Sequence, residues 1–141
     1  MKLVIMESPY AGRTPEEIAR NVDYARRCLR DSLLRGESPL ASHLLFTQPG
    51  VLRDEIPEER RHGIEAGLAW GKVAETAVVY TDLGLSPGMI KGIQRHLDNG
   101  IPVEYRQIGP LTIPCAGCGE RDEGCAGTPT KQPDLSAGQN I

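Results

Sequence analysis

Aromatic residues are scarce in this 141-residue chain, at 4% with one Trp and one Phe, so aliphatic side chains have to build its core. Clustered positive charge is missing as well. The formal net charge is -3 and no block of Lys or Arg could neutralise a run of phosphates, which argues against a nucleic-acid groove. Long apolar runs are absent: Leu3 to Met6 and Thr76 to Tyr80 fall far short of the ~20 residues that cross a bilayer. Glu7 ends the first run too early for a secretory signal, so a cytoplasmic protein without a membrane partner is expected. The glycines are too dispersed for a dinucleotide fingerprint, and no Gly-rich Walker loop with its Lys exists. Hydride and phosphoryl transfer lose support accordingly.

What is present is ordinary globular composition, with 39% hydrophobic and 25% charged residues. A chain of this length buries about two-thirds of its unfolded surface around one core. Lys2 to Met6 reads as a buried first strand, closed by the turn-rich Glu7-Ser8-Pro9-Tyr10-Ala11-Gly12. Thr14-Pro15-Glu16-Glu17 carries an N-cap hydroxyl, a proline for the first helical position and two early carboxylates. Ile18, Val22, Ala25, Leu29 and Leu33 then recur at helical spacing until Gly36.

Ser38 to Leu45 reads as a short second strand ending near Ser42-His43. Pro57 opens a second helix whose Ile64, Leu68 and Gly71 side is expected to pack inward, with Gly63 and Gly67 allowing close backbone approach. Thr76 to Tyr80 has the continuous apolar character of a strand buried on both faces. Ser86-Pro87-Gly88-Met89 starts a third helix through Ile93 and Leu97, closed by Asn99-Gly100, and Ile101 to Arg106 is the last strand. Strands alternating with helices predict a three-layer, Rossmann-like α/β domain over residues 1–108 with a short parallel sheet of four strands. Residues 109–141 form an irregular Cys/Gly/Pro-rich tail by composition.

In such folds ligands bind beyond the carboxyl ends of the strands. Four segments should converge there: Glu7 to Tyr10, Ser42-His43, Thr81 to Gly84, and Ser86 to Met89. The last is a helix start, where free backbone N–H groups and the helix dipole favour an anion. Ser86 either caps that helix or bonds the ligand. His43 suits proton transfer or a hydrogen bond to a base, and is otherwise a satisfied loop histidine. Asp82 follows a buried strand and is the first candidate for catalysis, the alternative being turn-forming side-chain chemistry. Tyr10 either stacks on a base or covers the sheet edge. Arg60 and Arg61 could hold a phosphate but read more simply as solvated charges, as do Glu65 and Glu104.

Four cysteines in a chain read as cytoplasmic are not expected to form disulfides. Cys28 belongs to the apolar stripe of the first helix. Cys115, Cys118 and Cys125 have C-x2-C-x6-C spacing that begins like a zinc knuckle but lacks a fourth ligand. His62, Asp122 or a second subunit could supply it; the simpler expectation is a tail without stoichiometric metal, and no cofactor.

Ser8-Pro9-Tyr10, Asn21, Ser42-His43, the Tyr80 to Gly84 strand end and Ser86-Pro87-Gly88-Met89 together resemble the nucleoside 2-deoxyribosyltransferase-like superfamily, especially its small phage and bacterial members. The resemblance spans residues 1 to about 106. It implies a nucleoside or nucleotide ligand contacted by Ser8, Tyr10, Asn21, Gly84, Ser86, Gly88 and Met89, and chemistry at the N-glycosidic bond, as hydrolase or deoxyribosyltransferase. It also implies a homo-oligomer; the open edges of a four-stranded sheet lead to the same expectation, with the helix faces bearing Leu68 and Trp70 as candidate contacts. The family's glutamate nucleophile stands beside a Gly-Met pair at a helix start, where this chain has Ile90 and Lys91. Asp82 or Glu7 would have to replace it in an enzyme; without a replacement the domain is a noncatalytic nucleotide-binding module.

Overall fold

The computed structural model describes residues 1–109. Strands β1 (Lys2–Glu7), β2 (Glu37–Leu40), β3 (Thr76–Tyr80) and β4 (Val103–Arg106) form one sheet in the order β2-β1-β3-β4. Every pairing is parallel. Helices α1 (Pro15–Leu34), α2 (Ser42–Leu45), α3 (Pro57–Gly71) and α4 (Pro87–Asp98) connect them. The three-layer Rossmann-like expectation holds, with a four-stranded sheet.

Side chains alternate across the sheet as the strand period requires. Val4, Met6, Val78 and Tyr80 pack with Tyr24, Ala25 and Cys28 of α1 on one face. On the other face Val79 packs with Met89 and Ile93 of α4, and a Cβ at Gly71 of α3 would touch Ile5. All five residues of β3 are buried, as its apolar run predicts. Each fully buried aliphatic side chain contributes about 1.5–3 kcal/mol, so the two central strands anchor the domain.

Helix starts follow their sequence cues. Thr14 Oγ1 accepts from the Glu17 backbone N–H, and Ser86 Oγ accepts from that of Met89, each ahead of a proline in the first turn. Gly67 makes the anticipated close approach, since a Cβ there would lie 2.8 Å from Ser42 Oγ. Gly100, with φ of 71°, takes the left-handed conformation after α4.

Several expectations are corrected. The second strand stops at Leu40, and Ser42–Leu45 is a helical turn whose Leu45 and Phe46 N–H groups bond to the carbonyls of Ala41 and Ser42. His43 therefore lies on a helix rather than after a strand. The last strand starts at Val103, not Ile101. On α1 the buried stripe is Asn21, Tyr24, Ala25, Cys28 and Ser32, while Leu33 is 49% exposed. Tyr24 and Ser32 displace the aliphatic stripe because both have hydrogen-bond partners inside, Asp82 and Glu37. Ile64 is exposed as well, since α3 approaches the sheet through its glycines.

A buried ion pair joins the two edge strands. Arg106 of β4 donates from both terminal nitrogens to the two carboxylate oxygens of Glu37 on β2, each at 2.7 Å. Ser32 of α1 adds a third bond to Glu37 and Glu104 accepts from Arg106 Nε. Among the described residues no helix is long and apolar enough to cross a membrane.

Candidate functional site

The chain leaves β1 toward edge strand β2 by α1 on one face, and reaches β3 by α2 and α3. Loops that depart in opposite directions open a crevice at the carboxyl ends of β1 and β3. A cavity of about 590 Å³ occupies it. Its walls are the loop after β1, α2, one side of α3 and the first three turns of α4. A smaller cavity of about 180 Å³, among Leu3, Pro39, Trp70 and Val73, has no titratable lining residue. The larger one gathers the chemistry.

Ser8 is buried and its Oγ lies 2.8 Å from Nε2 of His43, so the end of β1 is tied to α2. Desolvation lowers the pKa of His43, with the Glu7 carboxylate opposing the shift. Burial thus disfavours the charged imidazolium. Tyr10 lines the cavity in an edge-to-face arrangement with that imidazole, the ring centroids 6.3 Å apart. Glu7, the last residue of β1, also lines the cavity, and its Oε1 lies 3.0 Å from Nε2 of His96, a residue 2% exposed.

Ser86, Gly88 and Met89 bring the start of α4 to the cavity, and Lys91 and Arg95 add positive charge along the same helix. Arg60 lines the cavity too, paired with Asp54. Arg61 instead pairs with Glu58 and Glu65 on the outer side of α3.

Of the residues singled out in the sequence, Ser8, Tyr10, His43, Ser86, Gly88 and Met89 meet at this cavity. Asn21 supports it from behind: its Nδ2 donates to the carbonyls of Tyr10 and Ala11 and holds the loop after β1 in place. Ser86 has the capping role as well as a place in the lining. Gly84 turns the chain with φ of 79° outside the lining.

Asp82 is also placed elsewhere. Its carboxylate accepts from Tyr24 Oη at 2.6 Å and from the backbone N–H groups of Ile108 and Gly109, which secures the segment after β4. Burial raises its pKa, but these bonds outweigh burial and leave it below the ordinary carboxylate value. Neither alternative describes Asp82, whose carboxylate bonds α1 and the segment after β4 rather than its own turn; the convergence of Thr81 to Gly84 on the site is corrected.

Leu68 lines the cavity and Trp70 is 56% exposed. Cys115, Cys118, Cys125 and Asp122 lie outside the described residues, whereas Cys28 is a free, buried thiol. Among the described residues no cluster of three or more His, Cys, Asp or Glu could hold a metal ion.

His96, Gly92 and Arg95 escaped the sequence reading. The signal was the spacing Met89, Ile93, His96, which sets a histidine on the inward stripe of α4. A histidine in that position needs a polar partner inside the fold.

Fold and cavity define a Rossmann-like α/β domain with a ligand-sized cleft at its parallel strand ends. Within that class, a family model described as Domain of unknown function (DUF7768) matches residues 2–106, and the chain belongs to this family. Among solved structures the chain is similar to a 2-deoxyribosyltransferase from the psychrotolerant bacterium Bacillus psychrosaccharolyticus, described as a biocatalyst for nucleoside synthesis. The two share 19% identity over 74% of this chain and 72% of the other, with a TM-score of 0.52. That likeness shows a common fold. No curated protein sequence matches the chain.

Proposed function

We propose that the protein binds a nucleoside or nucleotide in the cavity at the strand ends and acts on its N-glycosidic bond. The observation that carries this reading is the meeting of Tyr10, the Ser8–His43 pair and the start of α4 around one space of about 590 Å³. That volume lies within the range of roughly 300–1,000 Å³ usual for small-molecule sites.

Each part suits a portion of such a ligand. Tyr10 offers an aromatic edge and face to a base. The serine and the histidine supply hydrogen bonds for a sugar or base edge. The N-terminus of α4, with Lys91 and Arg95 on the same helix, favours a phosphate. Cleavage of a glycosidic bond passes through an oxocarbenium-like state that a nearby carboxylate stabilises. The fold shared with a deoxyribosyltransferase supports the same ligand class.

Incubation of the full chain with nucleosides and nucleoside monophosphates tests the reading, with free base measured by liquid chromatography beside thermal melts. A raised melting temperature together with base release is the expected result. Ligand stabilisation without base release would reduce the protein to a noncatalytic nucleotide-binding module. Neither effect with any nucleoside or monophosphate would overturn the reading.

A further inference from the structure

Three carboxylates line the cavity among the described residues: Glu7, Asp54 and Glu59. Asp54 is paired with Arg60, and Glu59 accepts from the backbone and guanidinium of Arg53, so a cation compensates each of these. Glu7 has neither Arg nor Lys among its described partners. An ionised carboxylate only accepts hydrogen bonds, so the imidazole of His96 donates through Nε2–H to Oε1. This bond orients the carboxylate. Among the described residues Oε2 takes no hydrogen bond.

The seat of this carboxylate is cut out of α4. A Cβ on Gly92 would lie 2.9 Å from Glu7 Oε1, closer than real Cβ contacts come, and a tight 3.2 Å from its Cδ, so the carboxylate would have to shift. Gly92 has no positive φ, so the backbone does not demand glycine. Glycine inside a helix costs about 1 kcal/mol against alanine. What that cost secures is room for Glu7 beside His96. The carboxylate is thereby fixed between a central strand and a buried imidazole, on rigid elements.

We infer that Glu7 is the catalytic nucleophile of this cavity, seated by Gly92 and positioned by His96, an assignment that rests on the function proposed above. A Glu7 oxygen forms a bond to the anomeric carbon as the carbon–nitrogen bond breaks, and the electron pair of that bond leaves with the base. Water then attacks the same carbon and releases Glu7 as a carboxylate. The hydroxyl of the water ends on the sugar and its proton on the base, so no other reactant is needed. His96 acts through Glu7 as a positioning residue.

The test compares the parent chain with Glu7→Gln and Gly92→Ala, using deoxynucleosides, ribonucleosides and their monophosphates. Base release is followed by chromatography, and binding by calorimetric titration. Glu7→Gln keeps a hydrogen-bond acceptor for His96, so binding should stay within a few-fold while base release falls roughly 100-fold or more. Gly92→Ala should melt no lower than the parent, because the displaced atoms are the end of a flexible side chain. Its base release should nevertheless fall about tenfold or more, since a misplaced reactive group loses its alignment. Undiminished base release by either folded variant would overturn the assignment while leaving the proposed function in place. A parent that binds but releases no base would overturn the assignment and keep the binding reading; a parent that does neither removes both.

Discussion

Tyr24 Oη and Asp82 Oδ2 lie 2.6 Å apart, and the Asp82 backbone N–H donates back to the same phenol oxygen at 3.1 Å. This reciprocal contact joins the middle of α1 to the turn after β3. The Asp82 carboxylate also collects the N–H groups of Ile108 and Gly109. It thus holds the ends of β3 and β4 together and is not part of the cavity wall. Asp82→Asn should lower stability by about 1.5–3 kcal/mol, the range for hydrogen bonds to a charged group. Nucleotide affinity of the folded variant should not change. Urea melts and calorimetric titration on one preparation check this, and a selective loss of affinity would return Asp82 to the site.

The buried pair of Glu37 and Arg106 should dominate the mutational sensitivity of the sheet edges. Arg106→Met strands a carboxylate that is 7% exposed and is expected to cost about 3–5 kcal/mol. Combining it with Glu37→Leu removes both charges and should recover most of that loss. Equilibrium denaturation of the single and double variants measures the difference; equal destabilisation in both would contradict it.

The same pair predicts an acid limb. Hydrogen bonds from Arg106 and Ser32 outweigh burial and hold the Glu37 carboxyl down to about 2. An unfolded Glu titrates near ~4.3. The folded value is depressed, so the pair's stabilisation is complete above about pH 4.3 and disappears as the pH falls through about 2. Stability followed from about pH 5 downward should decline in the parent, with a shallower slope in the doubly substituted chain.

His43 works at higher pH with the same sign. Desolvation lowers its folded pKa beneath the unfolded value of ~6.5, so the unfolded chain takes up protons first. Stability should fall as the pH drops below about 6.5 toward the folded pKa, and His43→Gln should flatten that window. An unaltered slope in the variant would show that His43 remains solvated.

Cys28 should be chemically silent. Burial pushes its thiol up to about 12, and charges on Asp82 and Asp31 add to the effect against a bond from Tyr24. The thiolate is the reactive form. Alkylation of the native protein at neutral pH, followed by peptide mapping, should leave Cys28 unmodified until denaturant is added.

Much of the architecture was legible because it depends on local chemistry. Proline and hydroxyl caps at Thr14 and Ser86 mark helix starts, and the apolar run of β3 marks a strand covered on both faces. Alternation of strands with helices then leads to a parallel sheet, and a parallel sheet to a crevice at its carboxyl ends. Ser8, Tyr10, His43 and the Ser86 to Met89 turn were found in this way, since each follows a strand or opens a helix near that end.

Side-chain partners across the fold were not legible. Whether Asp82 faces a ligand or Tyr24 depends on the position of α1 over the sheet, a relation between residues 58 positions apart. Glu7 and His96 are 89 positions apart, and the place of Gly92 between β1 and α4 exists only once the two elements pack. Propensity and capping act over a few residues and were enough to determine the elements and their order. The direction of each carboxylate was decided by desolvation and hydrogen bonding between distant segments, which operate only in the folded chain.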